Sequence, residues 1–560
     1  MRCGPAPHCL LIMIDRMAWR KLFYPAYSPL RQLIAIVFLT EFCLAAALTP
    51  SPRAGPLSRA TTPGEDLAQT VYQSYWDANG RHEHMGQQIL GNLVQSSSQH
   101  ADGESQRPVN FPATLSAMLD ALDVMQSHYF KIWQGIWPSA IDWTAAVMGT
   151  QVSATLDTIT SFTDSEAGLG AVDDSRLLMD GVKAQENLIN RYFSQLTSFY
   201  FGENAFSLRT QAYDDMLWVV LGWLECINFI KTHSKLHFES SASINNNSSW
   251  HGRQFIPSFA HRVRIFYDLA SRGWDTSLCG GGMVWNPRLA PYKNAITNQL
   301  YISASISMYL YFPGDDNTSP FLLNDEEVGL PSEKEHDKRY LEAATEAYKW
   351  LSSSNMTNTK GLYTDGFHVH GWRGGKTNGS IGSGRCDVRD EKVYTYNQGV
   401  LLSGLRGLWE ATGDIAYLED GHQLVRNVIT ATGWPTKYTS EDYQWAGLGR
   451  NGILEEACDS YGTCSQDGQT FKGIFFHHLT VFCAPLPEGE KDGALWRADK
   501  ELAALHRKSC REYGGWIRGN AEAAYETRDE EGRFGMWWGA RIGRWVRDDE
   551  ERNQKDEGTD

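Results

Sequence analysis

Between Met216 and Ile230 the chain reads MLWVVLGWLECINFI, and a helix written over it is apolar on nearly every side. Such a helix belongs inside a large protein or a membrane. Two adjacent carboxylates, Asp214 and Asp215, stand at its polar mouth beside Tyr213 and Trp218. The stretches 295–311, 396–409 and 472–483 share this character, whereas 339–351, 416–429 and 494–507 carry one charged face. Further helical spacing covers Leu115–Met125, Ile141–Leu156, Ala184–Phe199 and Phe259–Leu269, for a total of about eleven or twelve helices, and strand-like alternation is scarce. The prediction is an all-α fold in which an inner ring of apolar helices is wrapped by an outer amphipathic ring. Long connections rich in Gly, Asn and Trp precede the inner helices at Trp274–Tyr292, Gly371–Tyr394 and Tyr443–Gln469. Loops of that length inside a compact domain are usually functional, and these should gather at one rim.

Composition narrows the partners. The 560 residues are 42% hydrophobic and include 20 Trp, 24 Tyr and 23 Phe, which suits a filled globular core. A net charge of -16 argues against nucleic acid, because a phosphate backbone calls for a concentrated basic surface. Many aromatic residues neighbour Asp, Asn, Gln and Gly, a mixture suited to sugar faces.

The ends read differently. Residues 33–48, LIAIVFLTEFCLAAAL, follow Arg20, Lys21 and Arg31, and this leader (1–49) reads as a cleaved signal peptide. The alternative is a retained signal anchor, with membrane association through this apolar segment. Sequons at Asn246, Asn247, Asn317, Asn355 and Asn378 agree with secretion to the wall or the extracellular face. Residues 50–111 read as a low-complexity linker, 112–545 as the folded domain, and 546–560 as a charged, disordered tail without a glycosylphosphatidylinositol signal. Cys3, Cys9 and Cys43 lie in the leader; the other seven leave an odd thiol, for which Cys226 in the apolar helix is the candidate. Cys458 and Cys464 are spaced to close a short loop. Nothing argues against a monomer.

Two acids flanked by aromatic rings at the end of a buried helix are what glycoside chemistry asks for. One carboxyl attacks or stabilises the sugar carbon and the other moves a proton to the glycosidic oxygen. On spacing alone the pair reads rather as a helix cap with a first-turn acid. Its company favours chemistry. CGGGMVWNPRLAPYKNAITNQLYISAS (Cys279–Ser305) holds Trp285, Asn286, Lys293 and Asn294; YTYNQGVLLSGL (Tyr394–Leu405) places Tyr396, Asn397 and Gln398 at another buried helix; Phe471-Lys472-Gly473 opens a third.

Together with the Asp-Asp helix, YFKIWQGIWPSAIDWTAAVMGT near the start and FGMWWGA near the end, these motifs resemble glycoside hydrolase family 76, the endo-acting α-1,6-mannanases, from about Phe111 to about Arg544. The resemblance implies an (α/α)6 barrel and a retaining mechanism, with Asp214 as nucleophile and Asp215 as general acid/base. It implies α-1,6-linked mannan or mannooligosaccharide as substrate. Tyr213, Trp218, Trp285, Asn286, Lys293, Asn294, Tyr396, Asn397 and Gln398 then line the pocket. Asp387, Glu455, Glu456 and Asp459 read as solvated or structural, and Asp467 precedes the Phe-Lys-Gly motif where the family tends to carry an acid. Val284 stands where many bacterial members have a second Trp. His477 and His478 lack an acidic ligand cluster, so no metal site is expected. No cofactor is expected either, since neither GxxxxGK[ST] nor a strand-led GxGxxG occurs. A cell-wall glycan transglycosylase of the same family and a non-catalytic mannan-binding protein are the alternatives.

Overall fold

The computed structural model describes residues 111–164, 175–239, 249–315, 335–373, 379–434 and 444–540. The leader, the linker, the charged tail and the sequons other than Asn355 lie outside them.

Eleven helices of 14 residues or more are present among the described residues: α1 Phe111–Val124, α2 Asp142–Asp164, α3 Ser175–Gly202, α4 Tyr213–Ser234, α5 Ile256–Ser271, α6 Ala295–Tyr311, α7 Lys338–Ser353, α8 Tyr396–Thr412, α9 Ala416–Ala431, α10 Gln466–Cys483 and α11 Lys500–Tyr525. Inner and outer helices alternate along the chain, as the pattern predicts for an (α/α)6 barrel. Among the described residues five inner helices run in the order α2–α4–α6–α8–α10, and α10 also touches α2. Helix α3 packs on α2, α5 on α4, α7 on α6, α9 on α8 and α11 on α10. Helix α1 completes the outer ring beside α3, where Asp123 accepts from Arg191 at 2.9 Å. Ala540, the last described residue, is again helical.

Periodicity explains the two layers. On α6, buried residues fall at nearly every position from Ala295 to Tyr309, whereas on α7 they are Tyr340, Ala344, Ala347 and Leu351, one stripe at spacings of three and four. Close approach in the inner ring needs small residues. A Cβ on Gly399 of α8 would stand 2.4 Å from the Phe475 Cα of α10, so a larger residue there would force the two helices apart.

Two sequence-based boundaries move, whereas α6 opens at Ala295 as read, with Lys293 and Asn294 in the strand before it. Helix α10 begins at Gln466, capped by the Ser465 hydroxyl, several residues ahead of Phe471. Helix α11 starts after the Asp499 cap and extends to Tyr525, later and longer than the 494–507 reading. In each case a capping side chain or strand pairing sets the boundary, and apolar spacing does not report it.

The long connections all precede inner helices, so they lie at the rim where those helices begin. There β1 (Tyr292–Asn294), β2 (Gly366–Val369) and β3 (Cys386–Asp390) form an antiparallel sheet with Lys293 opposite Phe367 and Phe367 opposite Arg389. A Cys279–Cys386 disulfide ties the first connection to the second. The third holds β4 (Gly449–Arg450), β5 (Ile453–Leu454) and the expected Cys458–Cys464 disulfide. Cys483–Cys510 joins α10 to α11, and Cys226 is the buried free thiol. No helix among the described residues is long and apolar enough to cross a membrane.

Candidate active site

The acid pair sits in the first turn of α4, which the chain enters through extended Ala212. Asp215 Oδ2 reaches back to accept the Ala212 N–H at 3.1 Å, the carboxylate half of a capping box. Asp214 Oδ1 accepts the Asp215 N–H at 3.2 Å, and its Oδ2 accepts the Trp285 indole N–H at 3.1 Å. Trp285 is held by its backbone: its carbonyl accepts from Tyr213 N at 2.9 Å and its N–H donates to the Tyr292 carbonyl at 2.8 Å. Helix entrance and glycine-rich loop are therefore laced together around Asp214.

Both carboxyls are driven toward the protonated form. Burial raises Asp214 well above the usual carboxylate range, and the Asp215 charge adds to it. Asp215 rises to about 6, chiefly through burial; the Ala212 bond opposes this, while Asp467 and Asp142 reinforce it. The stronger push on Asp214 runs against a resting nucleophile. Hydrogen-bond geometry points the other way, because an N–H donor on each Asp214 oxygen favours its anion.

Aromatic residues wall the pair. Trp218 is 4% exposed and stacks on Trp143 at 5.9 Å, and the Trp143 indole donates to Asp467 at 3.1 Å. Across the mouth Tyr396 lies flat on Phe471 at 3.7 Å, close enough to feel the charges of Asp365 and Asp214. Tyr213 presents a half-buried ring at the helix entrance.

Asp365, which the sequence reading passed over, also belongs here. Its Oδ2 accepts the Tyr292 hydroxyl at 2.6 Å and its Oδ1 faces Asn397 Nδ2 at 3.4 Å. Burial raises it above its ordinary value. In sequence it is one half of an Asp-Gly pair, which reads as a turn; only the pairing of β2 with β1 brings it beside Tyr292. Trp143 escaped notice for a similar reason, as the α10–α2 contact that gives it a role is non-local.

Several expected pocket residues hold the walls instead. Lys293 is 1% exposed and donates to the Gly282 carbonyl at 2.6 Å, the Asp275 carbonyl at 2.9 Å and the Asp275 carboxylate at 3.3 Å. Its three protons clamp the glycine-rich loop, and none is left for a sugar. Asn294 caps α6 by accepting from Thr297 N. Gln398 is wholly buried and bonds the Tyr363 N–H, the Tyr363 carbonyl and the Tyr394 carbonyl. Asn286 closes an Asx turn onto Arg288 N at 2.9 Å. Asn397 is buried with its amide toward Asp365.

Glu455, Glu456 and Asp459 are buried, not solvated, in a knot with Lys472 and Arg450. His478 binds Ser403 and lines a small internal cavity with His477, Trp218 and Gln151. His422, His506 and Cys510 converge, but the Cys510 sulfur is bonded to Cys483, which removes the thiolate a metal would need.

The comparisons follow this geometry. Residues 332–541 match the model of glycosyl hydrolase family 76, so the resemblance read from the motifs is borne out. That span includes Asp365, Tyr396, Glu456 and Lys472 and stops short of Asp214 and Asp215. A mannan endo-1,6-alpha-mannosidase DFG5 of Saccharomyces cerevisiae is 24% identical over 292 residues, covering 50% of this chain and 51% of the relative. A mannan endo-1,6-alpha-mannosidase DCW1 of Candida glabrata is 23% identical over 289 residues, covering 50% and 52%. The chain thus spans about half the length of the curated relatives it matches. Among solved structures, an inactive variant of the Salegentibacter α-1,6-mannanase GH76A bound to α-1,6-mannotetrose shares 17% identity, with a TM-score of 0.46 over 76% of this chain and 91% of that one. Dfg5 of Chaetomium thermophilum in complex with glucosamine shares 17%, with a TM-score of 0.45 over 76% and 83%.

Proposed function

We propose that this glycosyl hydrolase family 76 chain is a retaining endo-acting α-1,6-mannosidase that cuts the backbone of α-1,6-mannan. One observation carries the reading: two adjacent carboxyls with raised protonation, one laced by N–H donors, stand at the rim where the long connections converge. Asp214, with a donor on each oxygen, is the group fitted to attack the anomeric carbon. Asp215 has one oxygen tied to Ala212 and the other without an N–H donor among the described residues, so it carries the mobile proton. In the first step that proton goes to the leaving mannosyl oxygen as the C1–O bond breaks and the Asp214 oxygen bonds C1. In the second, Asp215 takes a proton from water, whose oxygen displaces Asp214. The half-buried rings of Tyr213, Trp285 and Tyr396 form the sugar-facing surface.

The test is α-1,6-mannan digested with the full chain, its new reducing ends followed by proton NMR. Initial products of α configuration, lost in Asp214→Asn and Asp215→Asn, support the reading. β products overturn the retaining mechanism. Longer chains formed on adding acceptor convert it to a transglycosylase, and mannan bound without turnover converts it to a binding protein. The same reading places the protein in the secretory pathway, supported by three disulfides and the exposed Asn355 sequon. N-terminal sequencing of secreted material, with deglycosylation of wild type and Asn355→Gln, tests it; full-length, unglycosylated intracellular protein refutes it.

A further inference from the structure

The buried knot of acids behind the site is arranged for more than filling space. Glu456 is 1% exposed, and one of its oxygens, Oε1, accepts both the Thr395 N–H at 2.9 Å and the Thr395 hydroxyl. Thr395 is itself fully buried and is the residue from which α8 starts, so this oxygen replaces the side-chain cap that the helix lacks. From Glu456 the path continues inward. Its N–H donates to Asp459 Oδ2 at 2.9 Å, and the same oxygen receives Lys472 Nζ at 2.6 Å. Lys472 is wholly buried and lies over the Trp538 ring at 5.1 Å.

The two ends of this path carry the opposing rings of the site. Thr395 precedes Tyr396, and Phe471 precedes Lys472; the rings stack at 3.7 Å at the mouth of the barrel. Helices α8 and α10 each deliver one ring, and the chain Thr395–Glu456–Asp459–Lys472 is the rigid link between the first turn of α8 and the second turn of α10.

We propose that Glu456 is a positioning residue of the active site: by holding Thr395 it fixes the Tyr396 ring against Phe471 and toward Asp214, without touching substrate. The role depends on an acceptor at Oε1 and not on charge, which separates it from the electrostatic role of Lys472. Burial raises Glu456 to about 7, so a neutral acceptor there is compatible with the fold.

The inference rests on the mannanase reading, and the experiment keeps the two apart. Kinetics on α-1,6-mannan and amide hydrogen exchange of residues 395–399 are measured for wild type, Glu456→Gln, Glu456→Ala and Thr395→Val. Expected are a fall in kcat/KM of about 10- to 100-fold in Glu456→Ala, a smaller fall in Thr395→Val, and Glu456→Gln within about threefold of wild type. Exchange at 395–399 should accelerate in the Ala variant alone among the Glu456 variants. Equal losses in Gln and Ala overturn the proposal, as does wild-type exchange in Glu456→Ala. If Glu456→Ala does not fold, Thr395→Val decides: wild-type kinetics and exchange there overturn it. A wild-type chain inert on mannan counts against the mannanase reading, and the exchange results then judge Glu456 alone.

Discussion

Two acid clusters lie within the same rim, and they differ in what balances them. Behind the site, Glu455, Glu456 and Asp459 are each no more than 1% exposed, and Lys472 and Arg450 are set among them at 2.6 Å from Asp459 and 3.2 Å from Glu455. At the mouth of α4, Asp214 and Asp215 are half-buried, and among the described residues the groups that act on them are other carboxylates and N–H donors, with no cation. Burying Asp459 against Lys472 makes a structural ion pair, although burial still raises the neighbouring Glu455 and Glu456 to about 7. Burying two carboxylates against further acids leaves a proton poised to move. Compensation, not the number of acids, separates scaffold from chemistry here.

The largest effects should come from breaking each cluster in turn, with opposite readouts. Asp214→Asn or Asp215→Asn should lower kcat on α-1,6-mannan by about 10³-fold or more, since each removes a group acting in the reaction step. Neither should cost stability; at pH 8 both should melt slightly higher, as a buried like-charged neighbour is gone. Calorimetry beside the mannan assay checks both halves, and a fall in melting temperature matching the lost activity would return the pair to a structural role. Lys472→Met should do the reverse, costing about 3–5 kcal/mol in urea denaturation by stranding Asp459. Stability unchanged in that variant would erase the distinction between the two clusters.

A finer cut uses Trp285. Trp285→Phe keeps a ring on the wall but deletes the N–H that Asp214 Oδ2 accepts at 3.1 Å. Losing a hydrogen bond to a charged group should cost about 1.5–3 kcal/mol of transition-state stabilisation, roughly 10- to 100-fold in kcat/KM. Because that bond lowers the protonation of Asp214, the acid limb of the rate profile should move to higher pH. A profile unmoved in position, with activity merely scaled down, would show that the indole acts as wall alone.

How far the sequence reached follows the same division. The alternation of all-round apolar stretches with one-sided ones carried the double ring, because burial of a helix face is written locally at spacings of three and four. The Asp-Asp pair was legible for the same reason: it adjoins a stretch with no polar face. Lys293 and Gln398 read as sugar-binding because polar residues beside aromatic ones look alike whether they face a cleft or a backbone. Their partners, Gly282 and Tyr363, are fixed only when β1 and β2 pair and α8 packs behind them. Asp365 and Trp143 went unseen because each acquires its role from a residue far along the chain, Tyr292 and Asp467. Glu456 reads as one more loop acid until Thr395 is placed beside it.

The smallest effect is a slope, and its sign separates the clusters again. Burial raises both Glu455 and Glu456 to about 7 from an unfolded value near 4.5, despite Arg450 and Lys472. A carboxyl raised on folding binds its proton more tightly in the native state. Its stabilisation is therefore complete below the unfolded value and is lost as pH rises through the folded one. Melting temperature should fall by a few degrees (~2–4 °C) between pH 4.5 and pH 8 on this account. Asp215, raised to about 6, adds a slope of the same sign that ends sooner. Glu455→Gln should flatten the curve from about pH 4.5 up to about 7, while Asp215→Asn should flatten it only up to about pH 6. Identical curves for the two variants would mean that the buried knot is already ionised at neutral pH. Lys472 and Arg450 would then balance it more fully than its burial suggests, and the contrast with the uncompensated pair at the mouth would become sharper still.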